Sequence, residues 1–127
     1  MNIFAGIFFI LHAFVHLLYA GQALRFFELR PGLIWPDGSW LFSRLLSDPV
    51  ARWLAAVSLA LAALGFLSAG LGLFFGAGWW RTMTLGAAGF SVFIYLLFWD
   101  GKFNELPDQG GIGLLISLGI LAAVWVI

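Results

Sequence analysis

Cysteine and charge are what this sequence most lacks. None of its 127 residues is Cys, which excludes disulfides, thiol redox chemistry, iron–sulfur clusters and zinc sites with Cys ligands. Charged residues make up 9% of the chain, against roughly 25% in a typical soluble domain. The formal net charge is zero, so the chain has no basic surface for nucleic acid, and we expect no nucleic-acid partner.

Apolar residues take the place of the missing charges. They make up 63% of the chain, against about 45–50% in an ordinary soluble domain. The mean hydropathy is +1.04. A soluble monomer of this composition could not cover its surface with polar groups, and a disordered chain requires the opposite composition. The composition therefore predicts an integral membrane protein that is embedded in, and interacts with, the lipid bilayer.

Four stretches of the chain carry no charge: 1–24, 53–80, 82–99 and 109–127. A helix needs about 20 apolar residues to cross ~30 Å of hydrocarbon, and a bilayer tolerates no unpaired backbone. We therefore predict an all-α, integral membrane four-helix bundle that forms a single transmembrane domain over residues 1–127. Its spans are predicted at about 2–24, 50–76, 79–99 and 109–127.

Turn and capping residues support these boundaries. Asp48 followed by Pro49 is typical of an N-cap and a first-turn proline, and Pro107–Asp108 is expected to open the fourth span in the same way. Two glycines in 76–78 predict a tight link between the second and third spans. The connection 25–49 is predicted to hold a short interfacial helix at about 40–46, capped by Ser39.

The distribution of basic residues predicts an orientation. Five Lys or Arg residues belong to the end of the bundle that carries connections 25–49 and 100–108, and the other end has one, Arg81. The positive-inside rule therefore predicts that the two longer connections are cytoplasmic and that both termini lie outside. We expect the location to be a bacterial inner (cytoplasmic) membrane.

Polar side chains recur along one face of the first and third spans, and one serine of the fourth span could join them. Polar groups at membrane depth are costly unless they are paired, so these faces are expected to turn toward one another inside the bundle. They comprise His12, His16 and Tyr19 in the first span, Arg81, Thr84, Ser91 and Tyr95 in the third, and Ser117 in the fourth.

Small residues follow one face of the second span at three- and four-residue steps. Lipid gives no hydrophobic drive between helices, so close backbone approach is what packs them. The stripe predicts a tight helix contact within the bundle, with a homodimer seam as the alternative. It comprises Ser58, Ala62, Gly65, Ala69, Gly72 and Gly76.

The two histidines, His12 and His16, allow three interpretations. Each imidazole could bond a hydroxyl on a neighbouring helix, both could line a pocket for a quinone or a lipid headgroup, or they could ligate a metal or haem iron. No acid lies within a span to complete a zinc site, and the metalloprotease pattern H-E-x-x-H is absent. The sequence therefore predicts no metal site and leaves any cofactor unknown.

A second group of candidates lies among the charges at the end with the longer connections. This group is either an ion-paired loop surface or an anionic-headgroup site built from Arg25, Arg30 and Asp100. The candidate ligand-binding residues are therefore His12, His16, Tyr19, Ser91, Tyr95, Arg25 and Asp100.

These patterns favour a non-enzymatic function. The prediction is a small integral membrane subunit that binds a lipid-like or quinone-like hydrophobic molecule. Its further partner is expected to be a membrane protein or a second copy of the chain. Two alternatives remain: an intramembrane redox or metal-dependent enzyme that uses His12 and His16, and a purely structural or assembly subunit.

Overall fold

The protein is helical throughout the part of the chain that its computed structural model describes, residues 2–103 and 106–126. The predicted all-α class is therefore confirmed for these residues. In chain order the helices are α1 (Asn2–Ala23), α2 (Phe42–Leu45), α3 (Asp48–Phe74), α4 (Trp80–Phe98) and α5 (Gly111–Val126), with a 3-10 turn at Leu106–Gln109.

Three of these helices, α1, α3 and α4, are long and apolar enough to cross a membrane, judged by length and composition. Their ends agree with the predicted spans to within two residues. The fourth helix, α5, is equally apolar but has 16 residues, which corresponds to about 24 Å of helix. It is thus shorter than the ~30 Å hydrocarbon core that the prediction for 109–127 assumed.

Two predicted helix starts are corrected. Ser47, not Asp48, occupies the N-cap of α3 and makes no side-chain cap bond, while Asp48 is already in the first turn. There its negative charge complements the helix dipole. Pro107 lies in the separate 3-10 turn and does not open α5, because Gly110 at φ +90° breaks the chain direction between the two elements.

The helices pack in the order α1–α3–α4–α5. The predicted small-residue contact is present between α3 and α4, where a Cβ added at Gly65 would lie 2.8 Å from the Cβ of Ala87. A second close approach was not predicted: a Cβ added at Gly70 of α3 would lie 2.8 Å from the carbonyl oxygen of Gly6 in α1. Contact between α1 and α5 is slight, and this leaves a gap on that side of the molecule.

The connection 25–49 folds back over the ends of the helices. Buried Gln22 at the end of α1 donates to the carbonyls of Leu33 and Trp35. Ser39 accepts a hydrogen bond from the backbone N–H of Phe42 and donates to the carbonyl of Leu97, 2.5 Å away. The prediction that it caps the short helix is corrected, because Leu41 occupies the N-cap and makes no side-chain cap bond. The predicted interfacial helix is shorter than expected, four residues at Phe42–Leu45.

Candidate functional site

A buried chain of four polar side chains links α1, α4 and α5. His12 Nε2 lies 3.1 Å from Ser117 Oγ, which lies 3.0 Å from Ser91 Oγ, which lies 2.5 Å from His16 Nε2. All four residues are at most 3% exposed. The polar faces that the sequence predicted do turn toward one another, and we call these four residues the His–Ser network.

The direction of the hydrogen bonds in this network follows from one carbonyl. His16 Nδ1 lies 2.9 Å from the carbonyl oxygen of His12, which can only accept, so Nδ1 of His16 carries the proton. Its Nε2 then accepts from Ser91, Ser91 accepts from Ser117, and Ser117 accepts from Nε2–H of His12. Both imidazoles are neutral because a buried charge needs a partner and the four long helices contain one acid, Asp48 at the start of α3.

This arrangement leaves one acceptor unused. With its proton on Nε2, His12 carries a bare lone pair on Nδ1. That atom is buried and has no hydrogen-bond partner among the described residues. His16, by contrast, uses both ring nitrogens, so the two histidines of one helix face are chemically different.

Aromatic rings enclose the network. Phe66 of α3, fully buried, lies with its ring centroid 4.7 Å from that of His12 and 5.2 Å from that of His16. Tyr95 lies next to them on the side of the longer connections, with its ring centroid 5.5 Å from that of His16 and 5.6 Å from that of Tyr19. Trp35 is the last ring of this group, with its centroid 5.4 Å from that of Tyr19. Five of the seven predicted site residues, the histidines, Ser91 and the two tyrosines, are therefore brought together.

The other two predicted site residues form hydrogen bonds and an ion pair within the connections. Arg25 donates to the carbonyls of Gln22, Ile34 and Trp35 and pairs with Asp37 at 3.3 Å. Asp100 instead accepts a 2.9 Å hydrogen bond from Gln109 and a 2.8 Å bond from the backbone N–H of Lys102. Each carboxylate and guanidinium is thus engaged in local loop structure, and the described contacts do not join Arg25 to Asp100.

The contacts at the centre of the first connection were not predicted from the sequence. Asp37 receives two hydrogen bonds from Arg52 as well as the ion pair from Arg25, so one carboxylate links the start and the middle of the connection to α3. Buried Gln22 is the second anchor. Its position one residue before the end of an apolar helix was the available signal, since an amide there needs partners. Polar Asn104 and acidic Glu105, which also belong to the connection 100–108, lie outside the described residues.

The arrangement of ligating side chains bears on the metal interpretation. Within 2–103 and 106–126, no three His, Asp or Glu side chains converge in a way that could hold a metal ion. Both nitrogens of His16 and one of His12 are already engaged in hydrogen bonds. What the network offers is hydrogen bonding, with one free lone pair.

An apolar groove of about 590 Å³ lies beside the network, in the gap between α1 and α5. Its lining is entirely apolar, with Phe8 and Phe9 from α1, Trp80 from α4, and Ile116, Gly119 and Ile120 from α5 among the lining residues. Phe8 precedes His12 by one turn and lies parallel to its ring, with centroids 6.3 Å apart. Ile116 is the chain neighbour of Ser117. The groove and the His–Ser network therefore share the same stretch of α1 and α5.

Comparison of the chain with protein-family models, with curated proteins and with solved structures gave no match. The site itself is therefore what bears on function.

Proposed function

We propose that this chain is a non-enzymatic, four-span membrane protein that holds one apolar chain of a lipid-like or quinone-like molecule in the groove between α1 and α5. The groove is the observation that carries the proposal. Its volume of about 590 Å³ lies within the ~300–1,000 Å³ typical of ligand pockets. Every lining residue is apolar, so the part of a ligand that it suits is a hydrocarbon chain.

The outer surface of the helices supports a membrane location. Large apolar side chains point outward along α1 and are 45–79% exposed at Ile3, Phe4, Ile7 and Phe8, while His12 and His16 are buried. A soluble protein has the reverse distribution. In a bilayer these side chains would contact lipid, and the groove would open sideways into the acyl chains.

Tryptophans at both ends of the molecule also support it. Trp40, Trp53 and Trp99 lie at the end with the longer connections, where the backbone N–H of Trp40 donates to the carbonyl of Trp99. Trp79 and Trp125 lie at the opposite end. Two belts of Trp are typical of the two membrane–water interfaces. We propose that α5 completes a fourth span despite its length, with local thinning of the bilayer.

The remaining parts of the proposal follow the basic residues and the size of the chain. We propose a bacterial inner membrane with the longer connections on the cytoplasmic side, in keeping with the positive-inside rule. We also propose that so small a bundle acts as a subunit, together with a membrane partner protein.

Gly119→Leu tests the proposed function. A Cβ at Gly119 meets no atom within 4 Å, so the new side chain can enter the groove without disturbing the helix. We expect the purified variant to lose most of the apolar-chain molecules that co-purify with the parent protein in mild detergent. The measurement is mass spectrometry of the extracted lipid per mole of protein.

Gly89→Leu is the matched control. Gly89 lies in α4, its added Cβ also meets nothing within 4 Å, and it does not line the groove. It should keep the parent's complement of bound molecules. Equal amounts in the parent and both variants would contradict the proposal, and a haem absorption band in the purified protein would favour the redox alternative instead.

A further inference from the structure

The unused acceptor of the His–Ser network bears on the polar group of the ligand, whereas the groove bears only on its apolar chain. Four hydrogen bonds run in one direction around the network, from Nε2–H of His12 through Ser117 and Ser91 to His16, and from Nδ1–H of His16 to the carbonyl of His12. Every hydroxyl and every ring nitrogen in this circuit has a partner except one. That one is Nδ1 of His12, buried in a residue 3% exposed.

The circuit fixes what kind of partner Nδ1 requires. A serine that donated to Nε2 of His12 would shift the ring proton to Nδ1, but Ser117 already donates to Ser91. Nδ1 is therefore an acceptor and needs an O–H or N–H donor. Buried polar atoms of native proteins have partners as a rule, so an unpartnered one points to a ligand or a water molecule. His12 does not itself line the groove, but Phe8, one turn before it and stacked on its ring, does.

We infer that His12 Nδ1 accepts a hydrogen bond from a hydroxyl on the molecule that occupies the groove. The inference rests on the proposed function and deepens it. The ligand class is then a long apolar chain that ends in a hydroxyl, such as a long-chain alcohol or the reduced, phenolic form of a quinone. A chain that ends in an ether or a carbonyl has no hydrogen to donate and lacks this bond.

The first test compares two probes of equal chain length, 1-hexadecanol and its methyl ether. We expect the protein in detergent to bind the alcohol roughly three- to tenfold more tightly than the ether, the ratio that one hydrogen bond supports. Native mass spectrometry gives the occupancy by each probe. Equal affinity for the two would overturn the inference.

Two substitutions at His12 distinguish the contributions of its two ring nitrogens. In His12→Gln the side-chain amide can reach Ser117 in place of Nε2, but no atom replaces Nδ1. In His12→Asn the shorter amide puts an acceptor near the position of Nδ1 and loses the contact with Ser117. We expect Gln to abolish the preference for the alcohol and Asn to keep part of it. The opposite order would overturn the inference.

Nitrogen NMR of the unaltered protein shows directly which ring nitrogen of each histidine carries the proton. With only two histidines, ¹⁵N-histidine labelling should show one ring protonated on Nδ1, His16, and one on Nε2, His12. Hexadecanol should move the unprotonated Nδ1 resonance of His12 toward the protonated range, and the ether should leave it in place. An alcohol that fills the groove without this shift would overturn the inference but leave the proposed function standing. Failure of both probes to bind, with Gly119→Leu also silent, would overturn both.

Discussion

At the scale of single residues, His12 and His16 share a helix face but differ in what they can do. His16 is fully buried, and both of its ring nitrogens are bonded, to Ser91 and to the carbonyl of His12. Nothing in this arrangement leaves His16 free to bind a further group. Its role is to hold α1 to α4 and to fix the direction of the network, whereas His12 has a lone pair to offer.

Substitutions of His16 should therefore lower the stability of the protein without removing a molecule bound in the groove. In His16→Gln the amide oxygen can still accept from Ser91, so we expect a change in unfolding free energy below ~1 kcal/mol. His16→Leu removes both of these hydrogen bonds and should cost about 0.6–2 kcal/mol for each, the range for one hydrogen bond between membrane helices. Thermal unfolding in detergent measures both, and each variant should keep whatever molecules co-purify with the parent protein. Loss of bound molecules from a stable His16→Gln protein would show that His16 contacts the ligand directly.

At the scale of elements, the crossing of α1 and α3 depends on two glycines. Each backbone lies so near the other that a Cβ at Gly70 would be 2.8 Å from the Gly6 oxygen, and a Cβ at Gly6 would be 3.2 Å from the Gly70 oxygen. Backbone atoms cannot rotate away as a side chain can. This crossing positions His12 and His16 next to Phe66, so it also shapes the site.

Alanine at Gly70 and at Gly89 should therefore have opposite effects. Gly70→Ala forces α1 and α3 apart and should destabilise the protein by about 1–3 kcal/mol, the usual range for overpacking. Gly89→Ala adds the same methyl group where nothing lies within 4 Å. It should be neutral or stabilise by up to about 1 kcal/mol, since Ala favours helix over Gly. Chemical or thermal unfolding of the two variants gives the comparison, and equal effects would refute the role assigned to the crossing.

The elements also show what the sequence could and could not predict. Helix ends were predictable because charge-free runs and turn residues depend on neighbours along the chain. The inward turn of His16 and Ser91 was predictable because polar groups on apolar helices are costly unless they are paired. The bonds to Asp37 were not, because they depend on the path of residues 26–36, which no periodicity determines. For the same reason Arg25 and Asp100 were grouped in one site, although loop contacts engage them separately.

At the scale of the whole molecule, the two longer connections meet at one end. The backbone N–H of Trp40 donates to the carbonyl of Trp99 at 2.8 Å, and the hydroxyl of Tyr19 donates to the carbonyl of Pro107 at 3.2 Å. The tight link at 76–78 and the end of α5 form the other end, where Arg81 donates to the carbonyl of Trp125. If α3 spans the bilayer as proposed, these two ends face opposite compartments.

Single cysteines in this Cys-free chain test that topology. Ser47 and Gly78 flank α3, and both are exposed, whereas Ser39 is 1% exposed and would be a poor labelling site. With the longer connections in the cytoplasm, Gly78→Cys should react with a membrane-impermeant thiol reagent in intact cells. Ser47→Cys should react only after the membrane is permeabilised. The reverse pattern would contradict the orientation that the basic residues predict and leave the spans unchanged. Equal labelling of both sites in intact cells would contradict the crossing of α3 itself, and with it the lipid-facing groove on which the proposed function depends.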